Sequence, residues 1–410
     1  MKAEEIEQIA KGLYAKVKEK QLQEFRERMP ENKQGVPFSY NGKQYIAAIR
    51  RLTPAECMKL QTVPDDYEFV SSESQAYKCL GNGWTVDVVA HILSFLPEEM
   101  KTKGMKVLSL FDGMSCGQLA LKSIGAKVTT YLASEIDKYA IANTMNNFPD
   151  TIQLGSVTDV NVDEVVEKYG VPDMIIGGSP CQSFSFSGKM KGMSTKNGEE
   201  IYTIERYLEL KREGFQFEGQ SYLFWEYMRI LTEVRKYNPN VFFLLENVKM
   251  LEKWERCLSH AIGVRGVHIN SALVSAQQRK RIYWSNIRTK PVSGDSLFYD
   301  EADVFAWPQL QTDIPQPEDK GLVIKDVLQD GAGEKYYLKD EVVEKLIEKT
   351  DKSKLTPYLL EPQVSVDEAL EYMASSDEYT SFTDEEKQEI AILGYKLEKE
   401  RLQSNKAECV

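Results

Sequence analysis

The run KVLSLFDGMSCGQLALKSIG, residues 106–125, decides the fold. KVLSLF reads as an apolar strand, a glycine-containing turn follows, and GQLALKSIG reads as a helix. The pattern then recurs. VTTYLAS (128–134) is a second strand, with DKYAIANTMNN (137–147) as its helix. DMIIGG (173–178), NVFFLLEN (240–247) and RIYWSNI (281–287) supply three more strands. Apolar strands alternating with helices predict an α/β fold, a doubly wound parallel sheet covered by helices on both faces. Ligands in such sheets bind at the carboxyl ends of the strands.

What sits at those ends is therefore informative. The first strand ends in Phe111-Asp112-Gly113, a turn where the backbone can approach a nucleotide-like ligand and Phe111 can stack on a purine. The second ends in Glu135, placed to accept from both hydroxyls of a ribose. The third runs into Gly177-Gly178-Ser179-Pro180-Cys181-Gln182, the fourth into Glu246-Asn247, and the fifth follows Gln277-Gln278-Arg279-Lys280-Arg281. Singly, each has an ordinary explanation: a loop glycine, a buried thiol, a helix cap, a solvated basic run. In this order they describe attack on an unreactive pyrimidine carbon. Carbon 5 of cytosine becomes nucleophilic once a thiolate has added to carbon 6, and the thiolate is the active form of cysteine. Cys181, stiffened by Pro180, is the candidate nucleophile. Glu246 is the candidate acid toward ring nitrogen 3, and Arg279 and Arg281 are candidates to hold the base. Such a base must leave the duplex to be reached.

Outward from this core, residues 4–27 carry Ile6, Ile9, Leu13, Val17, Leu22 and Phe25 at helical spacing. NGKQYIAAI reads as a short strand, and TPAECMKLQT (53–62) and residues 85–96 as helices. Residues 291–320 read as irregular connection and EVVEKLIEK (341–349) as a helix. Thr383 and Glu386 form a capping box for a helix through about residue 403.

Hydrophobic residues make up 42% of the 410 and charged residues 28%, enough for a sizeable core. No run approaches the roughly 20 apolar residues of a membrane span, and the charged N-terminus lacks a signal-peptide centre, so a cytoplasmic setting is expected. Six cysteines without a CxxC pair and three histidines predict neither a disulfide framework nor a metal site. The net charge of −12 is concentrated: residues 351–410 hold 14 acidic and 7 basic side chains, so a basic groove elsewhere remains compatible with nucleic acid.

These motifs resemble the cytosine-5 DNA methyltransferase family. FDGMSCGQLAL is similar to its first motif, SEID to the second, GGSPCQSFSFSG to the nucleophile motif, LLENV to the glutamate motif and QQRKR to its Gln-x-Arg-x-Arg pattern. RRLTPAECMKLQTVPDDY and GNGWTVDVVAHIL resemble the ninth and tenth. The resemblance implies a Rossmann-like methyltransferase sheet with a smaller, mostly irregular or α+β target-recognition domain. It also implies S-adenosylmethionine as methyl donor (S-adenosylhomocysteine as product), no metal, and a monomer acting on double-stranded DNA in a bacterial or phage-infected cell. By resemblance Phe111, Asp112, Gly113, Met114, Ser115, Glu135, Ile136, Ser156, Val157, Pro180, Asn82 and Gly83 would line the cofactor site, and Ser187, Gly188, Lys189 and Lys191 would touch DNA.

Three departures from the family pattern stand out. The ninth and tenth motifs precede the first, a circular permutation that needs only a short link from Leu96 to Lys106. The implied division is a catalytic domain at 50–290 (50–98, then 105–290) and a recognition region of 291–410 plus 1–49. Ser156 stands where the family often has an aspartate for the adenine amino group. The segment after the nucleophile is long, and its residues 199–212 read as a surface helix. Two other functions share the scaffold: an RNA cytosine-5 methyltransferase, and an inactive DNA-binding homologue. The recognition region argues against the first and the complete residue set against the second.

Overall fold

The computed structural model describes residues 3–27, 36–40, 43–180, 199–215, 217, 219–292, 306–329, 331–349 and 364–407. The chain divides into two units, Pro54–Leu328 and a second made of Met1–Thr53 with Gln329–Val410. Residues 291–328, which the sequence places with the recognition region, fall in the first unit.

That unit is built on a seven-stranded sheet of β3 (Met105–Leu110), β4 (Val128–Ser134), β5 (Ile152–Gln153), β6 (Met174–Gly178), β7 (Phe242–Val248), β8 (Val267–Asn270) and β9 (Lys280–Ser285). Their order across the sheet is β5-β4-β3-β6-β7-β9-β8. The first five pair in parallel, and β9 runs antiparallel to both its neighbours. The parallel sheet expected from the alternation is present, with β9, next to the edge strand β8, reversed. β8 and β9 are consecutive and only nine residues separate them, too few for the crossover that a parallel pair requires.

Side chains alternate across the sheet with the two-residue period of a strand. Leu108, Leu110, Leu132, Ile175, Phe243, Leu245, Ile282 and Trp284 enter one apolar core with the helices Val162–Tyr169, Ile204–Arg212, Phe224–Tyr237 and Glu252–Ile262. Val107, Tyr131, Ala133, Met174, Ile176, Leu244 and Tyr283 enter the other, with Val86–Ser94 and Cys116–Ser123. The fold is therefore α/β and wound on both faces. The helices begin where polar caps permit: Asp137 accepts from the Tyr139 amide, Asn161 from Asp163 and Glu164, and Thr203 from Arg206. Val86–Ser94 packs directly on Cys116–Ser123, and the helix Glu98–Lys103 leads from it into β3. In the same unit β10 (Thr289–Pro291) pairs antiparallel with β11 (Leu310–Thr312).

The second unit is largely helical. The helices Ala3–Glu27, Val366–Ser375 and Asp384–Ala407 enclose Leu13, Tyr14, Val17, Met373 and Ile390, and the Tyr14 hydroxyl donates to the Ala391 carbonyl at 2.9 Å. Thr383 and Glu386 cap the last helix reciprocally, as the sequence predicts. The short strand at 43–47 is one arm of a hairpin, β1 (Val36–Tyr40) with β2 (Lys43–Ala47). A further helix spans Asp340–Lys349. No described helix is long and apolar enough to cross a membrane.

Gly117 is where the first helix meets the sheet. A Cβ there would strike the Ile176 side chain and lie 2.9 Å from the Tyr131 hydroxyl. Gly117→Ala should therefore cost about 1–3 kcal/mol by overpacking, read as a lowered urea midpoint with unchanged slope. An unshifted midpoint would mean that this helix does not rest on β6.

Candidate active site

Pairing of β6, β7 and β9 puts Gly178, Glu246 and Tyr283 in one row across the sheet. Glu246 is buried, 8% exposed, and it is held on two sides. Arg281 Nε meets its Oε1 at 2.9 Å, and Trp84 Nε1 donates to Oε2 at 3.2 Å. A Cβ on Gly178 would stand 2.8 Å from Trp84 Nε1 and 3.0 Å from Glu246 Oε2, so the glycine leaves room for this contact. Burial pushes the Glu246 carboxyl above the ordinary carboxylate range, with Arg281 and Arg279 pulling it partly back.

Arg279 has a different occupation. Its Nη2 donates to the Gly83 carbonyl at 2.8 Å and its Nη1 to that of Gly81 at 3.3 Å, which ties the turn before Trp84 to the strand carrying Arg281. Burial and the neighbouring Arg281 lower its proton affinity. Trp84 was not among the sequence candidates, because an indole beside Asn-Gly carries no chemical signature by itself. The signal available was its place in GNGWTV, a turn of the tenth-motif resemblance.

The approach to the nucleophile position is anchored by Asn247, whose Nδ2 reaches Ser179 Oγ at 2.9 Å and the Ser179 carbonyl at 3.2 Å. Cys181, with Ser187, Gly188, Lys189 and Lys191, lies outside the described residues. Among the described cysteines, Cys116 and Cys257 are pushed up to about 12 by burial, which leaves them as inert thiols.

The other strand ends form a second cluster. Phe111 and Ser115 both adopt positive φ, 59° and 61°, so the turn after β3 is strained on either side of Asp112. The Asp112 carboxyl takes the Tyr131 hydroxyl at 2.8 Å and the Ser115 hydroxyl, and burial pushes it up to about 6. Glu135 accepts from three amides: Gly113 at 2.8 Å on Oε2, and Ile136 at 2.7 Å and Asp137 at 2.8 Å on Oε1. With about four acceptor positions on a carboxylate, roughly one remains free of these amides. Ile136 beside it is 70% exposed, an apolar surface that a purine would cover. Met114 is buried, and its carbonyl accepts from Tyr67 at 3.0 Å. Asn82 and Gly83 are exposed and half-buried, and Ser156 Oγ caps its own turn by accepting from the Thr158 amide at 3.3 Å. These residues fit an adenosine-bearing ligand: a carboxylate with an acceptor to spare, an uncovered apolar side chain next to it, and a strained turn whose Gly113 amide bonds that carboxylate.

Because the Glu246 affinity for a proton is raised on folding, its contribution to stability is full below the ordinary carboxylate pKa and is lost as pH rises through the folded value. Arg281→Met should raise that value further. Its stability deficit against wild type should be smallest near pH 4 and grow toward pH 8, reaching about 3–5 kcal/mol, the cost of leaving a buried carboxylate unpaired. Urea unfolding across that range reads it, and a deficit independent of pH would show that Arg281 does not control Glu246.

With this geometry in place, the sequence matches the family described as C-5 cytosine-specific DNA methylase over residues 2–97 and 105–212. It is 27% identical over 285 residues to the orphan methyltransferase M.SPRI of Bacillus phage SPR, covering 63% of this chain and 58% of that protein. It is 28% identical over 290 residues to the putative type II methyltransferase M.BsuMIIP of Bacillus subtilis, covering 60% and 61%. The chain spans about half to three fifths of the length of the curated relatives it matches. Among solved structures, a mutant of Spodoptera frugiperda DNMT2 aligns at 15% identity with a TM-score of 0.34, over 72% of this chain and 99% of that one. The chain belongs to the C-5 cytosine-specific DNA methylase family.

Proposed function

We propose that the chain methylates carbon 5 of a flipped-out cytosine in duplex DNA through a Cys181 adduct at carbon 6. The observation that supports this best is the buried Glu246, held at a strand end by Arg281 and Trp84 with its proton affinity raised. A carboxyl whose proton affinity is raised can donate to ring nitrogen 3 as the Cys181 sulfur bonds to carbon 6, so ring electrons move toward that nitrogen rather than accumulate as a carbanion. Arg281 holds Glu246 in that orientation. Arg279, with two donors committed to Gly81 and Gly83, acts on the base through the turn it fixes. After transfer the proton on carbon 5 leaves to a base, the carbon–sulfur bond breaks and the thiolate is restored.

Bound S-adenosylmethionine supplies the electrophilic methyl group and leaves as S-adenosylhomocysteine. Glu135 would take a ribose hydroxyl, Ile136 would lie under the purine, and the turn Phe111–Ser115 would approach the methionine part together with Asn82 and Gly83. In this reading Pro54–Leu328 is catalytic, and the unit of residues 1–53 and 329–410 reads the target. The ninth- and tenth-motif segments are permuted ahead of the first, and Ser187, Gly188, Lys189 and Lys191 serve DNA contact. DNA is preferred to RNA because the family description names it and because readout of duplex bases calls for added recognition elements.

A duplex carrying 5-fluorocytosine should trap a covalent complex that peptide mapping places at Cys181, since fluorine does not leave as a proton does. Attachment at another cysteine, or trapping only on transfer RNA, would overturn the assignment. Cys181→Ser should abolish methyl transfer while S-adenosylhomocysteine still binds. Glu246→Gln should slow single-turnover transfer by about 10²–10⁴, the usual worth of a positioned acid; an undiminished rate would remove Glu246 from that role.

A further inference from the structure

The stretch after Cys181 contains the surface helix Ile204–Arg212, which exposes Glu205, Glu209 and Arg212 and buries its other face. Tyr207 and Leu210 are 1% and 3% exposed. Beneath them lies Glu226, fully buried on the helix Phe224–Tyr237. Lys211 Nζ reaches Glu226 Oε1 at 2.5 Å, Arg229 Nε reaches Oε2 at 2.7 Å, and the Tyr207 hydroxyl donates to the same carboxylate. A buried carboxylate needs such partners, and here it gathers two cations.

Both cations then reach outward to one loop. Arg229 Nη2 donates to the carbonyls of Val157 at 3.2 Å and Val160 at 3.1 Å, and Lys211 Nζ donates to that of Thr158 at 3.3 Å. The loop is tied on its other side to β4, where Ser134 Oγ donates to the Gly155 carbonyl at 2.8 Å, next to Glu135. It is the loop that opens with Ser156, whose hydroxyl is already turned to the Thr158 amide and whose nearest carboxylate, Asp159, accepts from the Thr158 hydroxyl at 3.1 Å. Three loop carbonyls that water would otherwise solvate are instead fixed by side chains of the added segment and its neighbour. A loop held this way loses less freedom when a ligand arrives.

We propose that the Ile204–Arg212 helix sets the adenine-side wall of the cofactor pocket, with Lys211 as a positioning residue that acts with Glu226 and Arg229 to preorganise Val157–Val160. This rests on the methyl-donor reading above. It assigns the Ile204–Arg212 helix to cofactor affinity and leaves DNA contact to the residues before it.

The test uses the full chain with Lys211→Met, which keeps the apolar stem and removes the ammonium. Calorimetric titration with S-adenosylhomocysteine should show a Kd raised about tenfold or more, the worth of one charge-assisted hydrogen bond. KM for S-adenosylmethionine should rise by a similar factor with kcat held within about twofold, the signature of lost ground-state binding. Lys211→Arg should recover most of the affinity. If wild type binds S-adenosylhomocysteine and Lys211→Met binds it equally, this inference fails and the proposed function stands. If wild type does not bind it, the methyl-donor reading fails and this inference goes with it. Should the variant not fold, amide hydrogen exchange in the wild type decides: Val157–Val160 should be protected before ligand is added, and exchange at the solvent rate would overturn the proposal.

Discussion

The pairing of β7 between β6 and β9 is the constraint on which the candidate site depends. Each strand alternates its side chains between two cores, so a shift of one residue in β7 would move Leu244 into the wrong core and carry Glu246 to the opposite face. The register that satisfies both cores is also the one that sets Glu246 beside Gly178 and within reach of Arg281. Hydrophobic burial on two faces thus fixes the position of a carboxyl to within a hydrogen-bond length. Trp84 then closes the same corner from a segment nearly two hundred residues before Arg279, which holds that segment through the Gly83 carbonyl.

Much of this was legible in the residues, for a physical reason. Strands buried on both faces are continuous apolar runs; β3, β6 and β7 announce themselves that way, and β4 and β9 do so over their buried last four residues. β5 and β8 do not: one has two half-buried residues, and the other interleaves His268 and Asn270 with its apolar positions. Direction is not encoded in an apolar run, so the reversal of β9 emerged only from the short connection that precedes it. Glu135, Glu246, Arg279 and Arg281 were legible because each stands at a strand end. What could not be read was how their capacity is used. Three local amides consume most of Glu135, and two carbonyls consume much of Arg279.

The helix Ile204–Arg212 shows the opposite failure. IERYLELKR looks solvated because it is rich in charge, yet Lys211 is the partner of a buried carboxylate and Tyr207 lies over it. A charged residue announces its cost of burial but not the companion that offsets it, and Glu226 is separated from Lys211 by a turn and the start of another helix. Pairings of that kind are set by packing, not by local spacing.

The two hydrogen bonds from Arg279 to the carbonyls of Gly81 and Gly83 have a consequence for the gene as well as for the protein. They join the segment before β3 to a strand far downstream without any need for the peptide connection at residues 98–104, and the packing of Val86–Ser94 on Cys116–Ser123 joins the same pieces again. Geometry here is stored in contacts rather than in chain order. A coding sequence reopened at that connection would have its new termini in a stretch that none of these contacts uses, so the corner around Glu246 is indifferent to which end of the polypeptide is made first.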